Sequence, residues 1–280
     1  MTHNARQHFR AAAKQKLREE DAGDSAFSSR AANPELSKSK GKALDIKRTD
    51  ALLKRISDLQ HMLYAQHKQK VLLVLQGMDT SGKDGTIRAM FSGVSPMGVS
   101  AAAFKAPTDE ELAHDYLWRV HQHVPVKGQI AIFNRSHYED VLITKVQGMI
   151  DEKECKRRYA QIRDFERMLA ETGTVIVKVF LHISKEEQRE RLQERLDDPD
   201  KQWKFAPTDI DQRKKWDEYQ RAYEQAIRET DKPHAPWYIV PANSKTHRNL
   251  VIASLLLETL EGMNLSYPPP HPDLSSFTVV

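Results

Sequence analysis

One stretch constrains this chain more than any other: Val71–Met90, VLLVLQGMDTSGKDGTIRAM. Val71 to Leu75 is an unbroken apolar run that fits a buried strand, and Gly77 to Lys83 follows as a glycine-bounded loop. The spacing is GxxxxGK, with a helix expected from near Lys83, so the order is strand, phosphate loop, helix. Gly77 and Gly82 permit backbone angles that turn successive N–H groups toward a phosphate, and Thr80, Ser81, Asp84, Gly85 and Thr86 belong to the same cradle. The helix N-terminus adds positive dipole, and the Lys83 ammonium adds a full charge. The last motif position, normally a Ser or Thr for magnesium, is Asp84, so the pattern is incomplete. An ordinary strand-to-helix turn is the competing reading. The strand–loop–helix context favours a phosphate site.

With 280 residues, 39% hydrophobic and 29% charged, the chain suits one α/β domain with appendages and many charged helices. It has no apolar run of about 18 residues, so no membrane span is expected. The opening MTHNARQHFRAAAKQKLREED has acids and no apolar core, unlike a secretory signal. A single cysteine, Cys155, fits a reducing cytoplasm and reads as structural. The net charge of +4 permits an anionic ligand without demonstrating one.

Residues 1–45 read as a polar N-terminal arm, extended or partly helical, that packs on the core or on a neighbouring subunit. Leu52, Leu53, Ile56, Leu59, Met62 and Leu63 recur at helical spacing and predict a helix over about 50–67. After the phosphate loop, Val99–Phe104 is a second strand, and Thr108 with Glu111 forms a capping box for the next helix. Lys105 stands at the strand end, the ligand edge of an open parallel sheet. The third strand, Gln129–Phe133, runs into Asn134-Arg135-Ser136-His137-Tyr138-Glu139-Asp140, where a phosphate-loop enzyme places its second motif. Asn134 is a neutral, weaker metal ligand, and Arg135 is suited to bidentate phosphate contact; a surface loop with incidental charge is the bland alternative.

A charged helix over 151–172 leads to a fourth strand, Thr174–Leu181. Ser184 and Glu187 open a helix to about 196, on which Gln188, Arg191 and Arg195 share one face. A break around Trp203 and Phe205 precedes a second charged helix over about 209–229. The two helices and their basic tip look like a lid over about 185–232, of the kind that excludes water and brings cations to phosphates, with a static hairpin as the alternative. Trp203 and Phe205 read as packing anchors, with a lid hinge or stacking on a base as the alternatives. A last strand, Ala235–Pro241, and a helix over about 244–262 precede a proline-rich tail, Tyr267–Val280, that looks like an ordered tail or an interface arm. The expected fold is a P-loop kinase-like three-layer α/β sandwich with a parallel five-stranded sheet and a helical lid over one domain, 46–270, followed by a tail at 271–280.

Six ordered blocks, GMDTSGKDGTI, FKAPT, HDYLWRVHQHVP, IFNRSHYEDVL, RLDDPDKQWKF and HAPWYIVPA, closely resemble the polyphosphate kinase 2 family over about residues 45–270. The resemblance implies transfer of the terminal phosphate of inorganic polyphosphate to AMP and ADP, reversibly, by Mg²⁺-assisted in-line attack. It implies that Asp79 binds the magnesium or positions the acceptor phosphate, that Lys83 steadies the transferred group, and that Asp79 replaces the missing loop hydroxyl. Asn134-Arg135-Ser136, followed by Glu139 and Asp140, looks like the class III branch, with Arg135 on phosphate and Glu139 and Asp140 handling the nucleotide. A basic track for the polyanion would draw on Arg88, Lys105, Arg191, Arg195, Lys201 and Lys204. The resemblance also implies adenine nucleotides, with guanine nucleotides as further candidates, and a homodimer or homotetramer. The rival readings are an ATP-dependent nucleoside monophosphate kinase of thymidylate type and a non-catalytic polyanion- or nucleotide-binding module. Nucleic acid is disfavoured because basic residues interleave with acids.

Overall fold

A computed structural model describes residues 4–273 and Phe277. Its centre is a five-stranded parallel sheet in the order β2-β3-β1-β4-β5. The strands are β1 (Lys70–Gln76), β2 (Val99–Ala103), β3 (Ile130–Asn134), β4 (Thr174–His182) and β5 (Trp237–Pro241). β1, β3 and β4 are buried along almost their whole length, which is why their sequences are mostly apolar rather than alternating, with Lys178 the exception inside β4.

The helices that matter for the site are α1 (Lys38–Gln66), α2 (Lys83–Phe91), α3 (Asp109–Ala113), α4 (Glu152–Glu171), α5 (Lys185–Asp197), α6 (Pro207–Lys214), α7 (Trp216–Thr230) and α8 (Lys245–Glu261). α1, α2 and α8 pack together on one side of the sheet, and α4 and α7 pack together on the other. Side-chain oxygens start several of them: Thr108 and Glu111 close the expected capping box on α3, and Asp151, Ser184 and Ser244 cap α4, α5 and α8.

Three segments differ from the sequence expectation. α1 begins at Lys38, well before residue 50, because its first turns bury Gly41, Asp45 and Thr49, which carry no apolar signal. Asp45 instead accepts the Ser29 backbone N–H at 2.8 Å, so a polar contact with the N-terminal arm replaces the hydrophobic stripe. The arm itself lies on the core: Phe9 is buried, and Ala11 N–H to Trp237 O (2.9 Å) and Ile239 N–H to Phe9 O (2.8 Å) cover the outer edge of β5. The expected helix over 209–229 is two, α6 and α7, broken at Lys215. α6 buries no residue, whereas α7 sets Trp216, Tyr219, Tyr223, Ala226 and Ile227 into the same core as the sheet. Trp203 is no packing anchor: it is 77% exposed, its indole N–H donates to Asp200 O, and the Lys204 ammonium lies over its ring. In the tail, Tyr267 Oη meets His61 Nδ1 at 2.9 Å, and residues 274–276 and 278–280 lie outside the described residues.

Candidate active site

The site is built at the C-terminal ends of the strands, beginning where β1 runs into the phosphate loop. Gly77 has φ +155°, and a Cβ there would sit 2.7 Å from Leu181 O on β4, so only glycine lets the loop leave the sheet so tightly. Gly82 has φ +97° and opens α2. Between them Thr80 holds a left-handed backbone (φ 64°), as does Arg135 at the end of β3 (φ 63°). Non-glycine residues adopt that conformation at a cost of about 1–3 kcal/mol, and it is found where surrounding structure holds a functional group in place.

Lys83 is buried, and its ammonium donates to Gly77 O (2.9 Å) and Met78 O (3.2 Å) across the loop. Burial, with Arg135 nearby, pulls it down to about 8, while Asp79, Glu139 and Asp84 oppose that shift. Burial pushes Asp79 the other way, but Lys83, Arg195 and Arg135 together outweigh it and hold the carboxyl below its ordinary value. Arg195 donates to Asp79 Oδ2 at 2.8 Å. Asn134 Nδ2 donates to Asp84 Oδ1 at 2.5 Å, joining the end of β3 to the loop. Three hydroxyl oxygens of the loop and the first turns of α2, Thr80 Oγ1, Ser81 Oγ and Thr86 Oγ1, are buried without a hydrogen-bond partner among the described residues.

The face of α5 expected to close over a ligand does meet the loop. Gln188 Nε2 reaches Asp79 O (3.2 Å), Arg191 Nη1 reaches Thr80 O (2.8 Å), and Arg195 reaches the Asp79 carboxylate. Arg191 is heavily engaged: it also donates to Ala242 O, Asn243 O and Glu187 Oε1, so it braces the loop against the β5–α8 turn.

Two cavities open near the loop; Asp79 lines the first and the gap that leads toward the second. The first, about 370 Å³, is lined by Asp79, Thr80, Gly82, Lys83, Asp84 and Gly85 together with Arg88, Arg191, Arg195, Lys201 and Lys204. Glu194, Lys245 and Arg248 complete it, so eight cations face three carboxylates. The second, about 650 Å³, holds Lys105, Arg135, Glu139 and Asp140 among Phe104, Pro107, Leu112, Tyr116, Ile143, Met149 and Ile150. A narrow gap lined by Gly77, Met78, Asp79, Arg135, Glu139, Tyr219 and Tyr223 connects the neighbourhood of the two. Lys105 is therefore not on the same track as Arg88 and the α5 cations. β2 is an edge strand two places from β1, and its end opens on the Arg135 side.

Arg135 pairs with Glu139 at 3.8 Å, and that carboxylate raises its already high pKa against the effect of burial. Burial pushes Asp140 up to about 6, although Arg119 and Arg158 pull it down. Among residues the sequence reading left without a role, Arg119 is buried and donates to Lys105 O (3.0 Å), and Arg158 donates to Asp140 O (3.0 Å) and stacks over Tyr116. The sequence block HDYLWRV carries Tyr116 and Arg119, and was the one available signal for that wall.

Arg248 is the larger omission. Its guanidinium lies over the loop so closely that a Cβ on Gly82 would meet Nη1 at 2.0 Å, and Nη1 is 3.5 Å from Ser81 O. It is buried, its side-chain partner is the neutral Asn249, and burial with Arg191 alongside lowers it to about 10. A buried guanidinium next to another is costly unless an anion joins them. Nothing in the local sequence, SKTHRNLV, separates Arg248 from an ordinary helix charge.

A family model for Polyphosphate kinase 2 matches residues 37–268. The AMP/ADP-polyphosphate phosphotransferase of Meiothermus ruber is 55% identical over 231 residues, 82% of this chain and 86% of that protein. The ADP-polyphosphate phosphotransferase of Rhodopseudomonas palustris is 44% identical over 232 residues, 79% of this chain and 80% of that protein. The crystal structure of polyphosphate kinase 2 from Arthrobacter aurescens TC1 superposes with a TM-score of 0.82 at 42% identity, covering 94% of this chain and 95% of that one. With its phosphate loop, sheet order and paired cavities in that setting, the chain belongs to the polyphosphate kinase 2 family.

Proposed function

We propose that this protein transfers the terminal phosphate of inorganic polyphosphate to AMP and to ADP, and runs the reaction in reverse when levels of the products favour it. The observation that carries the reading is the contrast between the two cavities: eight cations line one, and a mixed apolar and polar pocket forms the other. A repeating polyanion has phosphates and nothing else to recognise, so it suits the first cavity. A nucleotide offers a flat base and a short phosphate chain, and suits the second.

An oxygen of the nucleotide's terminal phosphate attacks the terminal phosphorus of the polyphosphate. One P–O bond forms as the bridging P–O bond breaks, and the negative charge of the cleaved bond passes to the shortened chain. No covalent intermediate on the protein is required. Arg135 holds the acceptor phosphate, Lys83 and Arg195 balance charge at the transferring group, and Arg191 keeps the loop in shape. Alignment and charge neutralisation then supply most of the rate. Asp79 fits a magnesium site: its carboxyl is held ionised beside the unpartnered Thr80 hydroxyl, and Mg²⁺ usually takes one or two carboxylates plus phosphates and water. When bound, the ion would neutralise phosphate charge. Asn134 in place of an acid removes one negative charge beside two polyanions, which supports acceptance of both AMP and ADP, the class III pattern.

The reducing, nucleotide-containing cytoplasm is the compartment this chemistry calls for. The homodimer or homotetramer expected from the family would be checked by light scattering. The primary test offers polyphosphate and Mg²⁺ with AMP or ADP separately. Phosphorylation of both supports the reading, and phosphorylation of one alone removes the class III assignment. Turnover only with ATP as donor would move the protein to the monophosphate-kinase alternative.

A further inference from the structure

β4 reads TVIVKVFLH, and the lysine in the middle of this central strand is fully buried. Every Lys178 ammonium proton has a partner: Glu166 Oε2 at 2.6 Å, Tyr138 Oη at 2.8 Å and Thr230 O at 2.9 Å. Glu166, on α4, is buried as deeply, and its Oε1 lies 2.8 Å from Tyr138 Oη and 3.2 Å from His137 Nε2. Burial pushes Glu166 up and Lys178 down, but at Glu166 the Lys178 ammonium and His137 outweigh it and hold the carboxyl below its ordinary value. Thr230 Oγ1 adds contacts to Tyr138 Oη and to the Trp237 indole N–H, each at 2.9 Å.

This cluster does not touch either cavity, and an apolar cluster of the same volume would hold a core together as well or better, since burying two charges is expensive. What the ion pair does that an apolar cluster would not is fix direction. Its partners His137 and Tyr138 are the first two residues of the helical turn His137–Val141. The next two, Glu139 and Asp140, face the acceptor pocket, and Arg135 stands two residues before the turn. Gln76, at the end of β1, completes the support: with its amide oxygen turned to accept from Ser136 Oγ (3.0 Å), its nitrogen donates to Glu139 Oε1 (3.1 Å). Thr230 ends α7, which brings Tyr219 and Tyr223 to the gap beside Arg135. Lys178 therefore ties both walls of that gap to the central sheet. Arg135, in its left-handed backbone, needs such external support to keep its conformation.

The geometry points to Lys178 and Glu166 as positioning residues for the acceptor phosphate, acting through His137 and Tyr138 on Arg135 and Glu139. The inference rests on the reading of Arg135 as the acceptor-phosphate group, and goes beyond it by assigning the element that sets its aim. Misplacing a contact by about 1 Å can cost on the order of 10²-fold in rate, so the effect should be visible in kinetics.

The test uses Glu166→Gln and the double variant Lys178→Met/Glu166→Leu, each checked by circular dichroism and melting before kinetics. Glu166→Gln should lower kcat by about tenfold or more and raise the nucleotide KM, leaving the polyphosphate KM within about twofold. The double variant leaves neither charge orphaned and should regain most of the melting temperature but not kcat. If the double variant recovers kcat along with stability, or folded Glu166→Gln turns over like wild type, the pair is structural and the proposal is overturned. Should Glu166→Gln fail to fold, the double variant decides alone. A wild-type protein inactive with polyphosphate in the same assay would instead sink the proposed reaction, and the positioning role with it.

Discussion

The two cavities are built in opposite ways. The cavity over α2 and α5 is an open array of cations whose positions come from three separate segments, α2, the α5–α6 region and α8. The pocket under α3 is balanced in charge, its arginines matched by Glu111, Glu139 and Asp140 and set among apolar side chains. Excess positive charge attracts any polyanion without reading it. Paired charge beside an apolar wall reads shape and phosphate position. A donor that is all phosphate can be bound by the first kind of surface, whereas an acceptor whose length decides the product needs the second.

That division can be broken at its centre first. Lys83→Ala should reduce turnover with both AMP and ADP by about 10³-fold, since it removes charge at the transferring group shared by both sides. The same lysine, lowered to about 8, predicts that kcat/KM of the wild type declines as pH rises through about 8, as the free ammonium loses its proton. A pH–rate profile lacking that limb would show that Lys83 is not needed charged.

Arg248→Met sharpens the donor side. A charge-assisted contact is worth about 1.5–3 kcal/mol, so the polyphosphate KM should rise about 10- to 100-fold while the nucleotide KM holds. Melting temperature should stay level or rise, because burial and Arg191 already disfavour this charge in the free protein. An equal rise in both KM values would erase the division between the cavities.

Asp140→Asn tests the acceptor side. With a folded value of about 6 against 3.8 for an ordinary Asp, the native protein holds the proton more tightly than the unfolded chain. Stability contributed by this group is thus present at low pH and falls as pH rises between about 4 and 6, by about 3 kcal/mol in all. The asparagine variant should melt higher than wild type at pH 8, lose the pH dependence of the nucleotide KM near 6, and leave the polyphosphate KM unchanged. The smallest effect belongs to the exposed tip: Lys201→Ala and Lys204→Ala should each raise the polyphosphate KM about two- to threefold at low salt, and less at high salt. A larger, salt-independent change would make the tip a specific contact.

Much of this was legible in the chain because it is contiguous. The phosphate loop, the second motif and the capped helix starts each lie within a few residues, so local spacing is enough to place them. The α5 face of Gln188, Arg191 and Arg195 could be read for the same reason: about two helix turns set its geometry. The start of α1 could not, because its first buried positions are polar and make sense only against the arm that covers them.

By itself, then, the sequence determined the element types, the phosphate loop and the family, since backbone preference and apolar runs act over short distances. Only the tertiary structure decided which charges share a cavity. Strand order carried Lys105 away from Lys83, and the β5–α8 turn brought Arg248 over Gly82 from far along the chain. Lys178 meets its partner Glu166 only where α4 packs on the sheet. Charges interact through space, and the distances that govern them are set only when the sheet has closed.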